Sequence, residues 1–198
     1  MTNHANLYKP LAFLLFLLIR PVEAQWPSSP AQHYPIFNSA QDEMEPGCVT
    51  DGQGGAYVNA HIGAGELAEI RLHRVRKNAT KAWSAAGLLI TDKSPNAISN
   101  NVKMVSDGNG GVVFFWLQVG DAVNKADIYA QHYDSTGTPQ WISNRMICQD
   151  SGDQTTLSVS PDSLGGVILT WADAQSGKYR LSCERITVDG QLLWGSGK

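Results

Sequence analysis

Charge is scarce in this chain: Lys, Arg, Asp and Glu supply 17% of its 198 residues, and the net charge is −3. Nucleic-acid affinity rests on clustered Lys and Arg that displace counterions, so this balance excludes nucleic acid as an expected partner. The local exception is Arg71, His73, Arg74, Arg76, Lys77 and Lys81, read as a solvated strand face and turn, with an anion or glycan contact as the alternative. Cysteine is scarce too. Cys48, Cys148 and Cys183 are neither a repeated disulfide framework nor a metal cage. No stretch reads as HExxH, CxxC, GxSxG or a phosphate-binding loop, so the sequence assigns no catalytic residue, metal or cofactor and singles out no binding residue.

Long apolar runs are also missing. Residues 11–19 (LAFLLFLLI) form a run of nine, which as helix rises only ~14 Å against ~30 Å of hydrocarbon core and cannot span a bilayer. With Lys9 before it, Arg20 after it, and Val22 and Ala24 as the small residues of a cleavage site, it predicts a secretory signal over residues 1–24. An uncleaved short anchor is the alternative. Export places the protein outside the cell or at its surface, with no stable membrane span after cleavage, and puts the thiols in an oxidising compartment. Three buried, unpaired cysteines are expected; one pair plus an odd thiol is the alternative, and the sequence does not choose a pairing.

What the chain does have is an internal repeat. DGQGG (Asp51–Gly55), DGNGG (Asp107–Gly111) and DSLGG (Asp162–Gly166) start 56 and 55 residues apart, and Trp26, Trp83, Trp141 and Trp194 follow in phase at 57, 58 and 53. Such a period marks arrays, solenoids and propellers. In the second copy, 103–106 runs into the Gly-rich turn and then into VVFFWLQV (112–119). Asp-Gly and Asn-Gly supply the positive φ that a tight antiparallel turn needs. A third strand is expected over 127–134, and a fourth segment is opened by Trp141 and ends at Cys148. The fold class is therefore all-β, built of repeated four-stranded antiparallel sheets.

Counting back twelve residues from each Trp aligns 70–75 with 128–133 and 181–186, giving the third strand an apolar side in every copy: Ile70 and Leu72, Ile128 and Ala130, Leu181 and Cys183. Cys183 then matches Ala130, a core position. Trp116 and Trp171 recur on strand two, where the first copy has Ala60. Core packing between sheets is expected of them, with sugar platforms as the alternative.

With DGxGGxxxxW, then DIYAQ, then Gly and Trp, the chain resembles the β-propeller-like tandem repeats of exported bacterial proteins. The second copy carries Asp107, Gly108, Gly110, Gly111, Trp116, 127–131, Gly137 and Trp141; the third replaces the turn Gly with Ser163 and the first lacks the strand-two Trp. The resemblance implies a propeller-like architecture and a bacterial host. It divides the chain into a signal (1–24), a linker or in-phase outer strand (25–44) and three repeats (45–100, 101–154, 155–198). Three repeats fall short of a propeller ring. Either the chain is a piece of a longer protein or the segment near 35–37 supplies an outer strand to the last sheet.

The function expected is an exported, non-enzymatic repeat module for adhesion or for binding a glycan or protein partner, with self-association as a further expectation. One alternative is part of a propeller carbohydrate-active enzyme, drawing paired carboxylates from Asp121, Asp127, Asp173 or Glu184. The other is a structural spacer.

Overall fold

The computed structural model describes residues 26, 29, 31–63, 69–91, 101–119, 125–148, 151–175 and 177–195. The predicted signal and Asp121 lie outside them. Eleven strands and no helix make up the described residues. The first sheet holds β1 (Glu43–Thr50), β2 (Ala56–Ile62), β3 (Glu69–Val75) and β4 (Leu88–Thr91). The second holds β5 (Lys103–Ser106), β6 (Val112–Val119), β7 (Ala126–Tyr133) and β8 (Arg145–Cys148). The third holds β9 (Asp153–Pro161), β10 (Val167–Gln175) and β11 (Lys178–Ile186). Strands pair antiparallel in chain order, and successive sheets pack through their first strands in a propeller-like array. The third sheet has three strands rather than the expected four; the Ile186–Leu192 bridge is all that follows.

Sequence explains which faces are buried. β6 reads as an almost continuous apolar run because the middle sheet is covered on both sides. Phe114 and Trp116 pack toward Tyr57, Ile70 and Leu72 of the first sheet, while Phe115 and Leu117 pack toward Leu169 and Trp171 of the third. Burying each Phe stabilises by about 2–3 kcal/mol. β10 instead alternates, because only the face carrying Val167, Leu169 and Trp171 is covered. Trp116 and Trp171 are thus core residues, as their phase predicts. In the first sheet, Phe37 from the preceding segment packs on Ala60 and Ile62, filling space left by the small residue on strand two. Residues 31–41 are irregular and Phe37 lies on the first sheet, not the last.

Each Gly-rich turn is clasped by its own aspartate. One oxygen of Asp51 accepts the amides of Gln53 and Gly55 at 2.8 Å, and Asp107 and Asp162 repeat this with Asn109 and Gly111, and with Leu164 and Gly166. The second oxygen reaches strand three. Arg74 donates to Asp51 through Nε and Nη2 at 3.0 and 2.8 Å, His132 Nε2 lies 2.8 Å from Asp107, and Arg185 Nε donates to Asp162 at 2.7 Å. Only glycine fits at the last turn position, since a Cβ on Gly55 would sit 2.3 Å from Val75 O.

Tryptophans then lock sheet to sheet. Trp83 Nε1 donates to Thr136 O at 2.7 Å, Trp141 Nε1 to Val188 O at 3.0 Å and Trp26 Nε1 to Lys77 O at 3.3 Å. Gly137 and Gly190 make room: a Cβ there would lie 2.9 and 3.0 Å from the indoles of Trp83 and Trp141.

Two expectations are corrected. The basic cluster is not a solvated face, because Arg74 and His73 are buried, the first by its carboxylate and the second between Phe37 and Trp83. Of the cysteines only Cys148 is buried. Cys48 lies exposed on β1, and Cys183, although it matches the buried Ala130, lies on the uncovered face of the third sheet.

Removing a clasp should be costly. Asp51→Ala leaves Arg74 buried without its counter-charge and is expected to lower unfolding free energy by about 3–5 kcal/mol in chemical denaturation. Ser163 holds φ 62° where Gly52 and Gly108 stand in the sister turns; Ser163→Gly should raise stability by up to about 1 kcal/mol, with an unchanged or lower midpoint counting against this reading. Stability should also fall in two stages on acidification. Burial holds the His73 ring below its ordinary 6.5, outweighing the carbonyls of Arg74 and Ser84, so the unfolded chain takes up a proton that the native state refuses and stability drops as pH falls below about 6.5. Burial alone would raise the Asp51 carboxyl, but the Gln53 amide, Arg74 and the Gly55 amide hold it below 3.8. Its contribution is complete above about pH 4 and is lost as pH falls through the lower folded value. Stability curves for His73→Gln, which installs the residue found at Gln131, should lose part of the first stage and keep the second.

Candidate functional site at the loop end

The two ends of the array differ. The β1–β2 and β3–β4 turns and their counterparts lie at one end, held by the aspartates and tryptophans; the β2–β3 and β4–β5 connections leave from the other. At the turn end, the three copies place the same Asp-to-strand-three contact. Toward the loop end of strand two they diverge: Asn59, Phe115 and Thr170 occupy one position, and His61, Leu117 and Ala172 occupy the next on the same face.

A backbone device recurs there as well. Six residues before each turn aspartate stand Glu45, Asn101 and Thr156, with φ of 50°, 60° and 54°. Left-handed backbone at a non-glycine residue costs roughly 1 kcal/mol. Two of these positions accompany breaks in the pairing register, between Met44 and Gly47 and opposite the Thr170–Ala172 step, as β-bulges that re-aim the strand. In the first sheet the bulge brings the Glu45 carboxylate onto His61, with Oε2 3.2 Å from Nδ1, and places Glu45 O 3.4 Å from Asn59 Nδ2. Gly47 is required beside them, since a Cβ there would meet Asn59 Oδ1 at 2.2 Å.

The electrostatics of this group are lopsided. Burial lowers the His61 pKa below 6.5 and nearby Glu45 only partly offsets it, so the ring is neutral near pH 7. The tautomer that satisfies Glu45 carries its proton on Nδ1, leaving Nε2 as an acceptor. Nε2 is buried without a hydrogen-bond partner, and so is the Oδ1 acceptor of Asn59. Two residues apart on one strand face, these positions are about 7 Å from each other. Two unmet buried acceptors side by side call for a molecule that brings donors.

The carboxylates considered for glycosidic chemistry do other work. Glu184 lies at the turn end, fully buried, where Oε1 accepts the amides of Arg185, Leu193 and Trp194 at 2.9, 3.2 and 2.8 Å. His73 and Gln131 hold the same segment in their copies, through Ser84 O and the Trp141 backbone. Asp173 is inside β10 rather than in a loop after it, buried, with Gln175 Nε2 at 2.7 Å and Gln154 Nε2 at 3.4 Å. It is four residues along the strand from Leu169, which faces Glu184, about 13 Å. Asp127, opposite Gln118, is half-buried, and that burial raises its carboxyl above 3.8. Near Asp173, Trp171 Nε1 and Gln154 Oε1 are a further donor and acceptor without partners. Asp107, considered as the start of a cation loop, spends one oxygen on its own turn and the other on His132. Among the described residues no three His, Cys, Asp or Glu side chains gather to hold a metal.

Sequence reasoning missed both the clasp and the Glu45–His61–Asn59 group. The clasp was within reach, because the repeat alignment already set Arg74, His132 and Arg185 in one column. The polar group had a fainter signal: Asn59 and His61 stand where the middle copy has Phe115 and Leu117.

No family model matches this chain, and no curated protein matches it. Among solved structures, an endo-arabinase from Bacteroides thetaiotaomicron VPI-5482 is similar with a TM-score of 0.48 and 13% identity, over 79% of this chain and 61% of that one. This chain therefore spans less than two thirds of that protein's length.

Proposed function

We propose that the protein is an exported, non-enzymatic binding module whose turn end is scaffold and whose loop end takes a polyhydroxylated ligand, a glycan. The observation that carries this reading is the pair of unmet buried acceptors, Asn59 Oδ1 and His61 Nε2, beside Glu45. Sugar hydroxyls bring donors to such acceptors, directly or through a bridging water. A protein partner presenting Ser, Thr or Lys donors is the other outcome that the same chemistry supports.

One arrangement favours a second reading. A carboxylate on Nδ1 of a neutral His with an open Nε2 is the geometry of an oriented general base, which suits part of a carbohydrate-active enzyme. Release of new reducing ends from a polysaccharide panel, abolished by Glu45→Gln, would establish it in place of the binding module.

The test of the main reading uses residues that the sister repeat already accommodates. His61→Leu installs the residue found at Leu117 and removes a buried unmet acceptor, so the melting temperature should hold or rise. Retention of glycans on an array should fall at least about tenfold, the loss expected when a ligand hydrogen bond to a buried acceptor goes. Equal retention by the variant, or no glycan bound by the wild-type chain, contradicts the proposal.

A further inference from the structure

The third sheet is built for a neighbour that it does not have among the described residues. On the middle sheet the outward positions Val113, Phe115, Leu117, Ile128 and Ala130 are all at most 3% exposed, covered by the third sheet. The matching positions on the third sheet are Ile168, Thr170, Ala172, Leu181 and Cys183, and Leu181 is 88% exposed. The tryptophan series breaks at the same place. Trp83 and Trp141 donate into the second turn of the next sheet, whereas Trp194 is 53% exposed and its Nε1 has no partner among the described residues.

The complementary seat is on the first sheet. Lys77 O occupies the place in its turn that Val188 O occupies in the third, and Trp26, from the segment ahead of the sheets, fills it as Trp141 fills the other. Trp26 holds it weakly, at 3.3 Å and 49% exposed. The reason is local: Ala79, at φ 60°, stands where Gly137 and Gly190 lie flat under their indoles, so its Cβ keeps the ring away.

We propose that this face takes a second copy of the chain, head to tail. The third sheet of each copy packs on the first sheet of the other, and Trp194 displaces the partner's Trp26 from Lys77 O. Such a contact joins two different surfaces, so it closes only if the rotation returns to the start. Two copies make six sheets, within the four to eight of known propellers, whereas three copies make nine. The product is a dimer. Ala79 in the seat keeps the association reversible and concentration-dependent.

Sedimentation velocity of the full chain from about 1 to about 100 μM, under reducing conditions to keep Cys48 and Cys183 from cross-linking, tests this. A monomer–dimer equilibrium is expected. Leu181→Arg and Trp194→Ala, both at exposed positions, should each raise its Kd at least about tenfold without shifting the melting temperature of the monomer. Trp26→Ala should lower the Kd by vacating the seat, and Ala79→Gly should lower it by flattening the seat. A monomer throughout this range overturns the proposal, as does a dimer or open polymer whose affinity the Leu181 and Trp194 variants leave unchanged.

Discussion

Everything at the turn end depends on one carboxylate per repeat. With one oxygen the turn aspartate satisfies two amides that a glycine-rich loop would otherwise leave to solvent; with the other it reaches a cationic or imidazole side chain on strand three. The turn is thereby fixed against the third strand, not only the second, and the glycine after it lies against the carbonyl of that strand. Glycine-rich sequences lose much entropy on ordering, and the clasp offsets that loss where it arises. Arg74 continues the chain of contacts by donating to Ser135 O at 3.1 Å in the second sheet, so one side chain joins turn, strand and neighbouring sheet.

The repeats show how much chemistry can change under a fixed geometry. Arg74, His132 and Arg185 perform one task, and His73, Gln131 and Glu184 another, although the second trio runs from a base through an amide to an acid. What persists is an atom able to bond the backbone of the Trp segment. Toward the loop end no such task constrains strand two, and Asn59 and His61 stand where Phe115 and Leu117 are simply core. Divergence at one end over a constant frame is how a scaffold accommodates a site.

Much of this frame was legible in the sequence. The DGxGG spacing and the phase of the tryptophans placed β5 and β6 with the bounds observed, β7 within one residue, and Trp116 and Trp171 in the core. What failed did so because a periodic pattern describes a face, not what covers it. Cys183 and Leu181 match buried residues of the middle sheet yet lie open, and Arg74 looked solvated because its partner, Asp51, is 23 residues away. The Glu45–His61 contact depends on a bulge at a residue with positive φ that is not glycine, which leaves no mark in the pattern.

The most direct test of the central claim, that the aspartate clasps make the turn end the rigid frame of the molecule, is native-state hydrogen exchange at the turn amides. The account predicts that Gln53, Gly55, Asn109, Gly111, Leu164 and Gly166 exchange as slowly as amides in the middle of β6, opening only with global unfolding. Exchange of these amides through local opening, with a free energy more than about 3 kcal/mol below that of the β6 amides, would contradict it.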